Sequence, residues 1–528
     1  MDNTAGLKCM WIQSSSAVFT ERQSSNVNVL GKENSMLQYT IPEKMGIPSE
    51  NIAKFIEILE KNGLSTHDVI LSRGDQIVFE KYWEPFGPDF LHRMYSVSKS
   101  FVSIAIGFLE QEGKINLDDP IVKYFPEESK NQTNDNMRNT TIRHMLMMST
   151  AKTSANWFTA RTDDRVRLYF ENDNPESRPS GTIFEYDSSG SFVMGALVER
   201  ITGMKFMEYL REKLFRKIGV SEEAYCLECP GGHSWGDSAV LCTARDLWKV
   251  ARFVLNRGSW NGEQILNEEY LIKATTKQID NNPWGVSDFD AQGYGYQFWM
   301  GYEDSFWFNG MGGQYAVCVP HKDIILIHNA DNQGKESSKK LILDSFYEWI
   351  VKAALDEALP ENKEAEKLLA ERSVDLKLAY AHSPKGVQGS ADLINGIVYS
   401  MEPNPMGITR LMFVFEGDIG KMEYTNAQGD KTLEFGIGHN VFGLFPQEGY
   451  SDLVGSVTAP GRYYKCAASA AWAEPLKLVL KVQIIDTYFG NLNMVFGFRE
   501  DKVGVYMCKS AEDFLDEYVG FAGGTAKR

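Results

Sequence analysis

The sequence predicts a mixed α/β domain followed by an all-β domain. At 528 residues, the chain is too long for a single ordinary core. Helical and strand-like patterns alternate up to about residue 355, whereas short alternating strands recur between turn residues after about residue 380. Hydrophobic residues make up 43% and charged residues 24% of the chain, as in ordinary globular proteins.

The first domain is expected over residues 41–355, after a polar, loosely held N-terminal extension over residues 1–40. A helix is predicted to begin at Ser49, because apolar residues follow at helical spacing, and to end at Gly63.

Two strands are then predicted around residues 69–71 and 77–79, on either side of a turn that contains Gly74. An apolar helix is expected from about Ser98 to Glu110. Residues from about 120 to 235 contain helical pieces joined by polar loops, which indicates an inserted helical subdomain.

Aromatic-rich text from Gly293 onward predicts the remaining strands of the first domain, and a helix near residues 339–355 is expected to close it. These strands are expected over residues 294–299, 305–308, 314–319 and 323–328.

Residues 356–379 are charged and helical in pattern, and they are interpreted as a linker. Residues 380–528 form the predicted all-β domain, a sandwich or barrel. Its clearest strands are expected over residues 411–415, 476–485 and 493–498, and its one helix over residues 511–518.

The net charge of -17 argues against a nucleic-acid partner, because phosphate binding needs a basic face. The chain shows neither a secretory signal pattern nor an apolar run of membrane-spanning length, so no membrane association is expected. Its seven cysteines are scattered and odd in number, which favours reduced thiols and a cytoplasmic location.

The spacing Ser-x-x-Lys occurs three times, where roughly two chance matches are expected. The spacing is chemically meaningful because it places an amine one helical turn from a hydroxyl, where the amine can accept the serine proton. The three pairs are Ser96 with Lys99, Ser149 with Lys152, and Ser337 with Lys340.

The surrounding sequence favours Ser96 as the nucleophile. Ser96 and Lys99 open a strongly apolar segment, so the lysine is expected to enter a buried wall that favours the neutral amine. A serine at the start of a helix also lies near free backbone N–H groups. Ser149 is interpreted as part of a turn and Ser337 as the start of a solvated helix.

The run Tyr95-Ser96-Val97-Ser98-Lys99 resembles the serine β-lactamase and DD-peptidase superfamily. Within it, the chain is most similar to the group related to class C β-lactamases, which contains esterases, D-aminopeptidases and 6-aminohexanoate-dimer hydrolases. Residues 113–120 and 141–146 match further segments of that family in order. The resemblance covers roughly residues 45–350 and implies a β-lactamase/transpeptidase-like fold.

The resemblance implies that Tyr186 occupies the place of the family's Tyr-x-Asn motif. A phenol beside a lysine can relay protons to a leaving group. Ser188 replaces the family's asparagine, an amide that contacts the substrate in β-lactamases. This difference puts penicillin hydrolysis in doubt, but not acyl transfer.

The family's third motif fits best at Phe308-Asn309-Gly310, which is followed by Met311. No cation stands at its first position, so Phe308 cannot bind a substrate carboxylate as a lysine would. Gly310 is expected to let the substrate lie close to the strand, and Asn309 to belong to the substrate-binding edge. The amides of Ser96 and Met311 would form the oxyanion hole. A plain glycine-rich hairpin is the alternative.

Four further features are given mainly structural interpretations. Gly232-His233-Ser234-Trp235-Gly236 spells the nucleophile elbow of α/β-hydrolases, but neither a buried strand before it nor a helix directly after it is expected. Cys226 and Cys229 provide only two ligands, too few for a closed zinc site. His92 and His144 lie near candidate motifs and are interpreted as structural. Aromatic residues between 294 and 308 are interpreted as mostly sheet core, and one or two of them as the lining of an acyl pocket.

The sequence therefore predicts a serine hydrolase of small esters, amides or short peptides, with Ser96, Lys99 and Tyr186 as catalytic residues and no metal or organic cofactor. The alternative is a penicillin-binding or penicillin-sensing protein that is acylated but turns over slowly. Residues 380–528 resemble the lipocalin-like domain of some such hydrolases. That domain could wall the active site or drive homo-oligomer formation, and the sequence leaves both open.

Overall fold

The computed structural model describes residues 37–527 apart from 153–156, 158, 159, 161, 172–175, 283–288 and 451–457. Most of the N-terminal extension expected over residues 1–40 therefore lies outside the described residues. None of the helices in the described part of the chain combines the length and the apolar character of a membrane-spanning segment.

A seven-stranded sheet forms the centre of the first part of the chain. All of its neighbouring strands run antiparallel except the short first one, which pairs in parallel with its neighbour. In spatial order, the strands are Gln38–Tyr39, Gln76–Tyr82, Thr66–Arg73, Ile324–Ala330, Gln314–Val319, Phe306–Gly310 and Trp299–Met300.

Helices cover both faces of this sheet because its strands are apolar on both sides. Along Ile324–Ala330, the side chains of Ile325 and Ile327 pack into the core that contains the Ser98–Gln111 helix. Ile324 and Leu326 pack into a second core with the helices on the opposite face. Period-two alternation along one strand therefore builds two separate cores.

The α-helices of the described residues lie between Ser49 and Arg372, before the barrel in the chain. Two of them run on into π-helical turns, at Arg211–Phe215 and at Tyr347–Val351. The helices between residues 120 and 235 are mostly short. The α-helices are Ser49–Lys61, Ser98–Gln111, Asp135–Arg138, Ile142–Leu146, Arg165–Phe170, Ser188–Thr202, Phe206–Leu210, Arg216–Ile218, Ala244–Leu255, Glu268–Ala274, Ser338–Phe346 and Lys363–Arg372.

Small antiparallel pairs join these elements. His92–Arg93 pairs with Val240–Cys242, which also pairs with Tyr225–Cys226. Ser259–Trp260 pairs with Glu263–Gln264. The first of these pairings matters for the site, since it holds the chain just before Ser96 against the strand that directly follows the segment 236–239.

The C-terminal part is a ten-stranded sheet that closes into a lipocalin-like barrel, which confirms the predicted all-β domain. Closure comes from the parallel pairing of Gly429–Ile437 with Thr458–Glu474, which completes a ring of nine strands and leaves Val441–Tyr450 outside it. In spatial order, the strands are Gly429–Ile437, Ile419–Asn426, Arg410–Glu416, Val398–Met401, Gly520–Ala526, Lys502–Lys509, Phe489–Arg499, Lys477–Ile485, Thr458–Glu474 and Val441–Tyr450.

Side chains fill the barrel interior. Every second residue of Ile419–Asn426 is buried, as expected for a strand with one face toward a core. The Phe413 ring lies 4.9 Å from that of Phe496, edge to face. The hydroxyls of Tyr424 and Tyr518 lie 2.8 Å apart, so these buried polar groups bind each other.

Two predicted elements were wrong. The strand expected over residues 294–299 is reduced to Trp299–Met300, because Gln297 has a φ of 65° and Gly295 lies so close to Ala274 that a Cβ would be 2.0 Å from its carbonyl oxygen. The helix expected over residues 511–518 is only a 3₁₀ segment, Asp513–Tyr518.

Candidate active site

Ser96 lies in a short 3₁₀ turn, Tyr95–Val97, that leads directly into the Ser98–Gln111 helix. The side chain of Ser96 is half-buried, whereas its neighbours in the turn are buried. Lys99 follows one turn later and is 1% exposed. Its Nζ atom donates a hydrogen bond to Ser96 Oγ at 3.0 Å. An accessible hydroxyl therefore contacts a buried amine, as the spacing requires.

A backbone carbonyl fixes the second side of the lysine. Lys99 Nζ also donates to the carbonyl oxygen of Asp237 at 2.7 Å. The Ser98 hydroxyl accepts a hydrogen bond from the Val240 N–H at 2.9 Å, and this contact ties the loop to the helix. Nothing in the sequence marks this partner, because any residue type can present a carbonyl.

The carboxylate of Asp237 is buried close to this lysine. Neither of its oxygens has a hydrogen-bond partner among the described residues. Burial raises the pKa of Asp237 to about 6, while the charges of Lys99 and Arg165 act in the opposite direction. This acidic side chain is a feature of the site that no motif in the sequence predicts.

Tyr186 lies directly before the helix Ser188–Thr202. Asp187 caps that helix by accepting a hydrogen bond from the Gly190 N–H at 3.1 Å. The Lys99 nitrogen lies 5.0 Å from the centre of the Tyr186 ring, and the ring stacks on Trp299 at 5.6 Å. The structure thus brings Ser96, Lys99 and Tyr186 together, with an indole as one wall.

Ser188 is the first residue of the helix after Tyr186 and is half-buried. It directly follows Asp187, the residue that caps this helix. No hydrogen bond between its side chain and Ser96 or Lys99 is found among the described residues.

Gln297 holds the helices behind the site in place. It is 2% exposed, and its backbone carbonyl accepts a hydrogen bond from the Ser100 hydroxyl at 2.7 Å. Its side-chain oxygen accepts from Ser191 at 2.7 Å, and its amide nitrogen donates to the Met145 carbonyl at 2.9 Å. One residue therefore links the helix that carries Lys99 to the helix that follows Tyr186. No sequence pattern predicts this role, because these contacts join distant segments.

The edge strand Phe306–Gly310 lies next to the nucleophile turn. A Cβ on Gly310 would be 2.4 Å from the carbonyl oxygen of Met94, so glycine permits the strand to pack on the chain just before Ser96. The sequence predicted that a glycine here would let the substrate approach. The structure shows that glycine is needed here for backbone packing. Phe308 is fully buried and packs edge to face on Phe298.

Asn309 and Met311 lie at the turn end of the hairpin that this strand forms with Gln314–Val319. Asn309 is half-buried and pairs with Tyr315 on the next strand. Met311 is 48% exposed, and its carbonyl accepts a hydrogen bond from the side chain of Gln314. This arrangement leaves the Met311 side chain at the surface beside the turn of Ser96.

The competing motifs occupy structural positions. Ser234 is buried and donates to Glu199 at 2.6 Å, while His233 Nδ1 lies 2.8 Å from the same carboxylate. Ser149 is buried and donates to the His144 carbonyl at 3.1 Å. The Ser234 hydroxyl thus bonds to a carboxylate and the Ser149 hydroxyl to a backbone carbonyl, whereas the Ser96 hydroxyl contacts an amine.

The two histidines singled out in the sequence are also structural. His144 accepts a hydrogen bond from the Thr141 N–H at 3.3 Å and completes a capping box. His92 is buried, and its Nε2 lies 2.7 Å from Nδ1 of His67. Burial lowers the pKa of His92 to about 3, so the ring is neutral at ordinary pH.

Cys226 and Cys229 are free thiols, like the other cysteines among the described residues. Burial raises the pKa of Cys229 well above its ordinary value, which leaves the thiol protonated. No cluster of three or more histidine, cysteine or acidic side chains suited to a metal ion is found in the described ranges.

Three known proteins are similar to this chain. Over 280 residues, the chain is 25% identical to the 6-aminohexanoate-dimer hydrolase of Paenarthrobacter ureafaciens, a match that covers 50% of this chain and 71% of that protein. The octameric penicillin-binding protein homologue from Pyrococcus abyssi is 15% identical with a TM-score of 0.47, covering 90% of this chain and 99% of its own. A penicillin-binding protein homologue from Caulobacter crescentus is 16% identical with a TM-score of 0.46, covering 58% of this chain and 98% of its own.

The family assignment rests on a longer match. Residues 52–340, more than half of the chain, match the sequence model of the beta-lactamase family. This stretch contains Ser96, Lys99, Tyr186 and the Phe306–Gly310 strand. The chain belongs to the beta-lactamase family.

Proposed function

We propose that the protein is a serine hydrolase that cleaves small amides, esters or short peptides through an acyl-enzyme on Ser96. The observation that carries this proposal is the 3.0 Å contact between the half-buried Ser96 hydroxyl and the buried Lys99 amine. The name of the relative from Paenarthrobacter ureafaciens, a 6-aminohexanoate-dimer hydrolase, supports an amide as the scissile bond.

The proposed reaction begins when Ser96 attacks the substrate carbonyl and its proton passes to Lys99 or Tyr186. The contact of Lys99 Nζ with the hydroxyl at 3.0 Å, and its position 5.0 Å from the centre of the Tyr186 ring, support these two groups as the proton acceptors. The amides of Ser96 and Met311 stabilise the developing oxyanion. Tyr186 then gives a proton to the leaving amine or alcohol, and water hydrolyses the acyl-enzyme to regenerate Ser96.

The wall beside Tyr186 supports an apolar substrate group. Trp299 stacks on Tyr186, and the Phe184 ring lies 6.0 Å from that of Trp299. Aromatic faces of this kind bind apolar chains and exclude water. At the other end of the site, Phe308 is buried and provides no charge, so recognition of a substrate carboxylate by this strand is not expected.

Turnover of a substrate panel tests the proposal. The panel contains p-nitrophenyl esters, linear amides of amino acids, short L- and D-peptides and a fluorescent penicillin. We expect the native chain to turn over at least one ester or amide, and Ser96→Ala to lose that activity while Ser149→Ala, the matched control in another Ser-x-x-Lys pair, retains it. Lasting labelling by penicillin without turnover of any other compound would contradict the proposal and favour a penicillin-binding protein.

A further inference from the structure

The barrel contacts the residue that precedes the nucleophile. Tyr95 is 3% exposed, and its hydroxyl accepts a hydrogen bond from the backbone N–H of Phe489 at 3.0 Å. The same hydroxyl lies 3.1 Å from Glu512 Oε1 and 3.3 Å from the Phe489 carbonyl, so it donates its proton to one of these oxygens. Burial and the charge of Glu512 raise the pKa of Tyr95 well above its ordinary value, which keeps it a donor.

Arg93 makes a second connection two residues earlier. Its buried guanidinium lies 4.2 Å from the ring centre of Tyr488 and 4.5 Å from that of Trp235. It donates to the Thr487 carbonyl of the barrel at 3.4 Å and to the Ser238 carbonyl at 3.2 Å. Ser238 follows Asp237, whose carbonyl holds Lys99. The barrel segment 487–489 is therefore linked both to the nucleophile turn and to the loop that holds the lysine.

The backbone of Tyr95 needs external support. Its φ of 45° lies in the left-handed region, which residues with a Cβ rarely adopt. Such a conformation persists only where the surrounding structure holds it. The direction of the Tyr95–Ser96 peptide, and with it the placement of the Ser96 N–H and Oγ, depends on this strained residue. The hydrogen bonds of its hydroxyl come from Phe489 and Glu512 of the barrel, while the Arg93 guanidinium lies 4.9 Å from the centre of its ring.

We propose that the barrel is part of the catalytic apparatus, and that Tyr95 is a positioning residue through which the barrel holds Ser96 in its reactive geometry. The inference rests on the proposed function, because it assigns the orientation of the same nucleophile. It gives the C-terminal domain a role in catalysis that does not require the barrel to bind substrate. A displacement of about 1 Å at a reacting atom lowers rates roughly 100-fold, so modest loosening of this turn has a measurable effect.

The test compares Tyr95→Phe with Tyr424→Phe. Each change removes one buried tyrosine hydroxyl, but the Tyr424 hydroxyl contacts that of Tyr518 at 2.8 Å, inside the barrel. The full-length variants are compared by kcat, KM and the rate of fluorophosphonate labelling, and Tm reports any loss of folding stability. We expect Tyr95→Phe to lower kcat and the labelling rate by about 10- to 100-fold with KM within about 3-fold, and Tyr424→Phe to keep both rates within about 2-fold.

Three outcomes would overturn the inference. Normal labelling of the native chain together with an unchanged rate in Tyr95→Phe overturns this inference alone. A native chain that fluorophosphonate does not label overturns the proposed function and the inference together. If Tyr95→Phe does not accumulate as folded protein, Glu512→Ala removes the contact between Tyr95 and Glu512 from the barrel side. The inference then requires kcat to fall by about 5-fold. An unchanged kcat overturns it.

Discussion

The surroundings of Ser96 and Ser234 differ, although each serine stands in a recognised nucleophile motif. The Ser96 hydroxyl is half-buried and lies 3.0 Å from the amine of Lys99. Ser234 is 3% exposed and donates its proton to Glu199, which also contacts His233. Of these two serines, Ser96 is the one whose hydroxyl is both accessible to a substrate and next to an amine. A motif therefore marks a nucleophile only where the fold supplies both conditions.

The largest effect is expected from removing the amine beside Ser96. Lys99→Met keeps the length of the side chain but cannot accept a proton, so kcat/KM is expected to fall about 1,000-fold. Steady-state kinetics on the best ester or amide of the panel measure this. Lys340→Met is the control, because Lys340 belongs to another Ser-x-x-Lys pair and forms a surface ion pair with Asp344. Retention of more than a tenth of the native activity by Lys99→Met would contradict the assigned role.

Much of this geometry follows from local sequence. The three-residue spacing places Lys99 one turn from Ser96 on any helix, and the apolar run that follows predicts a buried helix. Alternating strands after residue 380 predict the all-β domain, because the side chains of a strand with one buried face alternate between buried and exposed.

The remainder depends on contacts that no local pattern contains. The carbonyl of Asp237 holds Lys99 irrespective of side-chain type, and Tyr95 bonds to Phe489 across 394 positions of the chain. Gln297 has a left-handed backbone that breaks the strand predicted over residues 294–299, in favour of contacts with three helices. Tertiary contacts override the local preference at these positions.

A smaller effect is expected at Asp237, and it depends on pH. Burial raises the pKa of this carboxyl to about 6, so the folded chain holds the proton more tightly than the unfolded chain, where the pKa is about 4. Its contribution to the free energy of unfolding therefore falls as pH rises from about 4 to about 6, and it stays lower at higher pH. Asp237→Asn does not ionise, so its stability relative to the native chain is expected to rise by roughly 2 kcal/mol between pH 4 and pH 7.

Urea denaturation of both chains at pH 4 and pH 7 measures this change. Using the difference between the two pH values cancels any constant effect of the new amide group. The same stability difference at both pH values would show that the Asp237 carboxyl has an ordinary pKa.

The smallest effect is expected at Ser234. Ser234→Ala removes one hydrogen bond to the Glu199 carboxylate, which still accepts from the Ser234 N–H at 3.2 Å and the Phe206 N–H at 3.2 Å. The free energy of unfolding is expected to fall by about 1–2 kcal/mol, while kcat/KM changes less than about 2-fold. Chemical denaturation and kinetics on one preparation check both values. Loss of activity on the scale of Ser96→Ala would reverse the comparison between the two serines.

The position of a covalent adduct tests the choice of Ser96 most directly. Trypsin is expected to release residues 94–99 as one peptide, because Arg93 and Lys99 flank it, and Ser96 and Ser98 are the serines within it. After the native chain reacts with a fluorophosphonate, fragmentation mass spectrometry is expected to place the adduct on Ser96, and Ser96→Ala to carry none. An adduct on Ser234, Ser149 or any residue outside this peptide would contradict Ser96 as the nucleophile.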